Sequence, residues 1–183
     1  IANAAIREGD LRPHTIRQVF GMLVLLNAGL ATLQFAAAGL IADYFGQPMV
    51  ADLLRVQCLL YLWNPFLALS YALLSRKMDF RSQAQANLAS AVVGATVALA
   101  GASLGMGVWA LVAAPLVMFG TRAALTTIAA RAFYLPSFDF AGSGHLAKYG
   151  VTVLGGSFAW FVATQTDILL GGRLLSAAEL GFY

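Results

Sequence analysis

Charged residues are scarce in this chain of 183 residues: Asp, Glu, Lys and Arg together make up 10% of it, whereas soluble domains carry about 25%. Apolar side chains account for 60% of the residues, and the mean hydropathy is +0.78. So few polar groups cannot cover the outside of a water-soluble globule. The composition therefore excludes that class and indicates lipid as the solvent.

Cysteine, histidine and phosphate-binding motifs are also sparse. The single cysteine, Cys58, excludes an internal disulfide framework. The two histidines, His14 and His145, lack metal-ligand spacing, and no GxxxxGK loop occurs. The eleven Lys and Arg residues form no single patch, which argues against a nucleic-acid partner. We therefore expect no catalytic residue, no metal site and no cofactor, in a protein that is not an enzyme.

Long uncharged runs are what the chain has instead. A helix needs about 20 largely apolar residues to cross a bilayer, because lipid offers no partner to a backbone amide. The runs predict an all-α, polytopic transmembrane helix bundle of about five spans, without a soluble domain. A turn at 105–107 separates the third span from the fourth. The predicted spans are residues 20–42, 56–75, 84–104, 108–130 and 149–172.

The basic residues predict the orientation of these spans. Two of the eleven, Arg55 and Arg173, fall on one side, and nine fall on the other: Arg7, Arg12, Arg17, Arg76, Lys77, Arg81, Arg122, Arg131 and Lys148. By the positive-inside rule the second side is cytoplasmic. We therefore expect a periplasmic loop at 43–52 and an aromatic-rich stretch at 132–148 along the cytoplasmic interface. The chain lacks an initiator Met and a polar tail, so residues 1–183 are expected to be an internal fragment.

Polar residues recur along two of the predicted spans. Asn27 and Gln34 share one helical face in the first span, and a second stripe runs along the next span: Gln57, Tyr61, Asn64, Tyr71 and Ser75. Either the two stripes line a water-filled cavity, or their side chains form hydrogen bonds across a packed helix interface. Pro65, which follows Asn64, predicts a kink, either a hinge or a static bend.

Ionisable side chains inside a membrane are costly, so each one suggests a site. Arg122 either meets a phosphate or extends to the headgroups. Asp167 has several readings: an ion pair with Arg173, a place on a transport pathway, a coupling proton or cation site, or an interfacial carboxylate. The pathway candidates are thus Asn27, Gln34, Gln57, Asn64, Arg122, Asp167 and Arg173. A four-residue spacing of small side chains predicts close helix packing at Ser90, Gly94, Ala98 and Ala102.

Five segments together resemble the polysaccharide-transporter branch of the multidrug/oligosaccharidyl-lipid/polysaccharide exporter superfamily, which includes O-antigen and colanic-acid exporters. They are AAIR at 4–7, ALLSRKMDFR at 72–81, GMGVWALV at 105–112, TDILLGGRLL at 166–175 and AELGFY at 178–183. They are similar in order and spacing to the family's basic "LLxRxLxFR" loop, its "GxGxWALV" hairpin and its "D-x-LLxGRxLG…LGxY" element. Two residues depart from the pattern, Met78 where Leu is commoner and Ser176 where Gly is usual.

The resemblance implies a parent protein of about twelve to fourteen helices in the bacterial inner membrane, of which this fragment holds the third to seventh. It implies that the parent flips an undecaprenyl-diphosphate-linked oligosaccharide by alternating access, for lipopolysaccharide or exopolysaccharide biosynthesis. Membrane lipids, a polysaccharide polymerase and other assembly proteins are the implied partners. The alternatives are a drug/cation antiporter of the same superfamily, a peptidoglycan-precursor flippase, a non-transporting scaffold and a membrane glycosyltransferase.

Overall fold

The computed structural model describes residues 13–139, 155–156, 159–160 and 162–164. Between residues 13 and 139 it contains five helices and no strand. These are α1 (Pro13–Phe45), α2 (Met49–Gln57), α3 (Leu60–Arg76), α4 (Phe80–Ser103) and α5 (Val108–Ala130). The prediction of an all-α, polytopic bundle is confirmed.

Within the described part of the chain, four segments are long and apolar enough to cross a membrane: His14–Phe45, Met49–Arg76, Phe80–Ser103 and Val108–Ala130. They overlap the first four predicted spans. The fifth predicted span, 149–172, lies outside the described residues except for a few positions. The chain is therefore a multi-pass membrane protein.

Helix α1 is longer than the charge-free run that predicts it. Its 33 residues extend about 50 Å, well beyond the roughly 30 Å of a hydrocarbon core. The expected loop at 43–52 is wrong for most of its length, because α1 continues to Phe45 and α2 begins at Met49. The prediction ends the span at the first charged residue, because charge is costly inside the membrane. The helix itself continues to Phe45 and stops before Gly46, whose φ of 64° favours glycine.

The second membrane segment is broken between α2 and α3. The Leu59 amide donates to the Val56 carbonyl at 3.1 Å, and the Tyr61 amide donates to the Cys58 carbonyl at 3.1 Å. These are tight i→i−3 bonds in place of the α-helical ladder. Pro65 lies inside α3, more than one turn later. The irregular turn thus precedes the proline at which the sequence predicts a kink.

Helices α4 and α5 form a hairpin through Gly105 and Gly107, whose φ angles are 74° and 55°. Above the turn the two helices are in close contact. A Cβ added at Gly94 would lie 2.9 Å from the Met118 Cβ, and one at Gly101 would lie 2.8 Å from the Ala110 Cβ. The two helices can therefore approach this closely because Gly94 and Gly101 have no side chain at the contact.

The predicted small-residue stripe on α4 is correct at its start and wrong at its end. Ser90 and Gly94 are buried, but Ala102 is exposed and Gly101 is buried instead. Each step of four residues turns about 40° past a full helical turn, so three steps carry the stripe off the contact face. A step of seven, from Gly94 to Gly101, stays on it.

After α5 the chain runs back across the bundle as an irregular segment, residues 132–139, which we call the strap. The Ser137 amide donates to the Arg17 carbonyl at 2.9 Å, and the Gln18 side chain donates to the Asp139 carbonyl at 2.7 Å. A methyl group at Gly21 would collide with the Ser137 carbonyl. The strap therefore fastens the end of α5 to the beginning of α1.

The structure places basic residues from three segments at one end of the bundle. The Arg17 side chain donates to the Leu135 carbonyl of the strap at 3.1 Å. Lys77, in the turn between α3 and α4, donates to the Ala130 carbonyl at 3.5 Å, next to Arg131. Arg55 lies at the opposite end, in α2. Arg17, Lys77 and Arg131 thus lie at one end of the bundle and Arg55 at the other, which is the distribution that the predicted orientation assumes.

Candidate functional site

The centre of the α1–α3 interface is an asparagine pair. Asn64 donates through Nδ2 to Oδ1 of Asn27 at 2.8 Å, and Asn27 donates to the Leu23 carbonyl at 2.8 Å. The Asn27 side chain is only 2% exposed, whereas Asn64 is exposed. Two of the predicted site residues are therefore hydrogen-bonded to each other across the interface, as one of the two sequence interpretations requires.

A second polar pair lies two turns further along α1. The Tyr61 hydroxyl donates to Oε1 of Gln34 at 2.9 Å, and Nε2 of Gln34 donates to the Leu54 carbonyl at 2.9 Å. Gln34 of α1 is thus hydrogen-bonded to α2 just before the irregular turn that separates α2 from α3. Gln34 bridges both parts of this segment.

The same residues also line a cavity of about 270 Å³. Its walls come from α1, α2, α3 and α5: Gln34, Gln57, Leu60, Tyr61, Asn64 and Phe119. Gln57 lines this cavity, and among the described residues its amide forms no hydrogen bond. The side chains of the two stripes therefore pair across the interface and also border a cavity.

The residues of the second predicted stripe do not all contact the same neighbouring helix. Tyr71 donates to Oδ1 of Asn87 at 2.5 Å, and Ser75 accepts from Nε2 of Gln83 at 2.9 Å. Both partners belong to α4. The short turn at 77–79 brings α4 beside the last part of α3, on a face different from the one through which Leu69 packs against α1. The stripe therefore contacts different neighbours at different depths, and its second half stabilises the α3–α4 pair.

Arg122 lies near the middle of α5, fourteen residues after its first residue and eight before its last. Its Nε donates to the Ser90 hydroxyl at 3.2 Å, and its guanidinium lies over the Phe119 ring, 5.5 Å from the centroid. Ser90 is fully buried and sits about 2 Å from the midpoint of α4. The structure thus places the guanidinium beside Ser90, near the middle of α4.

No carboxylate among residues 13–139 lies within ion-pair distance of Arg122. An ion pair in this range joins Arg55 to Asp52 at 3.3 Å, and both side chains are exposed. A cation at mid-membrane depth is costly unless a polar partner or water compensates it. Arg122 therefore has a hydroxyl and an aromatic face as partners, with its charge not neutralised in the described region.

A larger cavity of about 600 Å³ lies between α1 and the α2–α3 segment, with Pro136 of the strap at its edge. Its walls are mainly apolar, including Phe20, Val24, Leu62 and Phe66. Cys58 lines it too, and its thiol contacts the Leu54 carbonyl at 3.3 Å. Asn27, Tyr61 and Arg55 also line it, but most of its wall is apolar, whereas most residues that line the smaller cavity are polar. We therefore place the candidate site in the smaller cavity and at Arg122.

Five of the seven predicted site residues are described, and four of them, Asn27, Gln34, Gln57 and Asn64, lie in or beside the α1–α3 interface. Arg122 lies one turn of α5 below Phe119, which lines the cavity. Asp167 and Arg173 lie outside the described residues. Sequence reasoning missed Phe119, although an aromatic residue three positions before a charged one on a helix is the expected neighbour.

A comparison with known proteins gives the family. The family described as "Polysaccharide biosynthesis protein" matches residues 1–183. The succinoglycan biosynthesis transport protein ExoT of Rhizobium meliloti (strain 1021) is 30% identical over 185 residues. That match covers the whole of this chain and 37% of the relative. No solved structure matches significantly. This multi-pass membrane chain therefore belongs to the polysaccharide biosynthesis family of transporters.

Proposed function

We propose that the protein of which this chain forms a part moves a lipid-linked oligosaccharide, carried on undecaprenyl diphosphate, across the bacterial inner membrane for the assembly of a surface polysaccharide. Alternating access moves the glycan through the protein, while the lipid tail stays in the bilayer. The chain spans 37% of the length of its relative, so the proposal concerns the whole protein. The observation that carries it is the guanidinium of Arg122 at mid-helix.

The charge of Arg122 favours an anionic cargo. A guanidinium is well suited to phosphate oxygens, to which it donates in a forked geometry. A fixed cation without a carboxylate partner among residues 13–139 repels a cationic substrate. This feature argues against the drug/cation antiporter and in favour of a diphosphate-bearing lipid. A scaffold without transport needs no such charge in the membrane.

The polar side chains of the α1–α3 interface suit the glycan part of the cargo. Asn27, Gln34, Gln57 and Asn64 are uncharged amides that both donate and accept hydrogen bonds, as sugar hydroxyl groups do. In this proposal no residue is catalytic, and the polymerase and other glycan-assembly proteins receive the product. Asp167 and Arg173 remain candidates for charge coupling and for a diphosphate contact at the periplasmic side.

The test is to delete the full-length gene and measure the lipid-linked oligosaccharide on each leaflet of the inner membrane. We expect the intact glycolipid to accumulate on the cytoplasmic leaflet and surface polysaccharide to disappear. An unchanged leaflet distribution in a strain without a second exporter would overturn the proposal and leave drug export or scaffolding.

The role of Arg122 is tested by complementing the deletion with full-length variants. We expect Arg122→Gln to reduce polysaccharide export at least tenfold and Arg122→Lys to restore part of it, because the charge returns without the forked donor geometry. Arg55→Gln is the matched control, since Arg55 is exposed and pairs with Asp52 at the other end of the bundle. Equal export by Arg122→Gln and Arg55→Gln would remove Arg122 from the mechanism.

A further inference from the structure

The cavity of about 270 Å³ between α1, α2, α3 and α5 has a distinct composition. Among its lining residues the polar ones, Gln34, Gln57, Tyr61 and Asn64, carry no charge, and Phe119 supplies an aromatic ring. Its volume lies just below the range of pockets that hold a drug-sized ligand, about 300–1,000 Å³. It therefore has room for one compact polar ligand and not for a long chain.

We propose that this cavity is a subsite for a single neutral sugar residue of the cargo, with Phe119 as the platform against which the sugar ring packs. The inference rests on the proposed function and specifies which part of the cargo this site recognises. Phe119 and Gln57 become the residues that determine glycan recognition, and neither is assigned a role by the family match.

Phe119 has the properties of a platform because its position is fixed on two sides. The Arg122 guanidinium lies over one face, 5.5 Å from the ring centroid, so the rest of the ring is left to border the cavity. The adjacent Gly120 lets α5 approach α3 closely, since an added Cβ would lie 3.2 Å from the Trp63 indole. The C–H groups of a sugar ring pack favourably on an aromatic face, which carries partial negative charge.

The hydrogen-bonding groups of the cavity divide into fixed and available ones. Gln34 is engaged through both ends of its amide, to Tyr61 and to the Leu54 carbonyl. Gln57 forms no hydrogen bond among the described residues, and Asn64 uses one donor toward Asn27, leaving its oxygen available. The available groups are neutral donors and acceptors beside an aromatic ring, which matches a sugar and neither a phosphate nor a cation.

The test uses the purified full-length protein in lipid nanodiscs. The probe is the repeat-unit oligosaccharide, released from its lipid by mild acid and prepared from the producing strain. Isothermal titration calorimetry gives its Kd for each variant. We expect Phe119→Leu and Gln57→Leu each to weaken binding about tenfold, as truncation of a ligand-contacting side chain does, while Phe119→Trp retains it. Phe35→Leu is the control, because Phe35 lines the apolar cavity.

Binding that is unaffected by Phe119→Leu and Gln57→Leu, or a wild-type protein that does not bind the free oligosaccharide, would overturn the subsite. Should Phe119→Leu fail to give a monodisperse protein, Phe119→Trp and Gln57→Leu decide the result. The proposed function fails separately, when the gene deletion leaves the glycolipid distribution unchanged although the oligosaccharide binds. If flipping is blocked in the deletion strain but the variants bind the oligosaccharide as the wild type does, the subsite is rejected and the proposed function stands.

Discussion

Two helix interfaces in this bundle differ in what brings the helices together. Between α4 and α5, bare backbone at Gly94 and Gly101 meets Met118 and Ala110 directly, and the hydrogen bond from Arg122 to Ser90 lies beside this close contact. Between α1 and α3, amides and a phenol pair across the interface and border two cavities. Lipid is as apolar as a leucine side chain, so helices in a membrane associate through close packing or through hydrogen bonds. The first means fixes a hairpin, and the second leaves room for a ligand.

The difference suggests which part of the molecule changes shape. Packed interfaces transmit displacement as rigid bodies, so α4 and α5 are expected to move together. The hydrogen bonds of the α1–α3 interface exchange readily with water or with sugar hydroxyl groups, since each net bond is worth only about 1 kcal/mol. In the transport cycle proposed above, the α1–α3 interface is therefore where we expect the bundle to open.

The largest expected effect comes from filling the close α4–α5 contact. Gly94→Val places two methyl groups where a Cβ alone would lie 2.9 Å from the Met118 Cβ. We expect the full-length protein to lose about 1–3 kcal/mol in free energy of unfolding, because the two helices must separate or Met118 must leave its rotamer. SDS titration in mixed micelles, followed by circular dichroism, measures the change.

Gly29→Val is the matched control, because the space beside Gly29 on α1 is open to 4 Å. It makes the same chemical change in a helix at a site without a close neighbour. A similar loss of stability in the two variants would mean that valine itself, and not the close contact, is responsible. The contrast between the two interfaces would then lose its physical basis.

A smaller effect is expected from the asparagine pair between α1 and α3. Asn64→Leu leaves Oδ1 of the buried Asn27 without the donor that it has at 2.8 Å. Asn27→Leu removes the other partner. A double-mutant cycle on the free energy of unfolding should give a coupling of about 0.6–1.7 kcal/mol, which runs from the average to the maximum for hydrogen bonds between membrane helices. Strictly additive losses would show that the pair is not a unit.

The sequence predicts the helices of this bundle better than their boundaries. Uncharged runs locate α3, α4 and α5 and the glycine turn at 105–107, because burial in lipid leaves a direct mark on composition. They fail at the ends of α1, where residues 13–19 and 43–45 are helical although charged groups lie among them. A helix continues into the interface when its backbone bonds are satisfied, and charge does not stop it.

The polar residues of the site were also predictable, but not their partners. Helical periodicity groups Gln57, Tyr61, Asn64, Tyr71 and Ser75 on one face of the second span. Periodicity cannot show that Gln57, Tyr61 and Asn64 line the cavity whereas Tyr71 and Ser75 form hydrogen bonds with α4. That difference depends on where the neighbouring helices cross. The mid-helix position of the Arg122 guanidinium likewise depends on Ser90, a residue distant in sequence that looked like a packing residue.

The smallest expected effect concerns the turn where the two interfaces meet, between α3 and α4. Asp79 caps α4: its carboxylate accepts from the Ser82 amide at 3.1 Å and from the Ser82 hydroxyl at 2.7 Å. Hydrogen bonds from Ser82, assisted by Arg81 and Lys77, lower the pKa of Asp79 in the folded protein. A lowered folded-state pKa stabilises the fold at pH values above the unfolded pKa, and that stabilisation is lost as the pH falls through the folded value.

We therefore expect Asp79→Ala to lower the thermal midpoint at neutral pH by less than the other substitutions do, since the cap lies outside both interfaces. Asp79→Asn should keep most of the cap, because asparagine is an equally good N-cap residue. It should also remove the part of the acid-side loss of stability that belongs to Asp79. Asp43→Ala serves as the control, because Asp43 lies near the C-terminal end of α1, where a negative charge opposes the helix dipole. Equal pH profiles for wild type and Asp79→Asn would show that the cap acts without its charge.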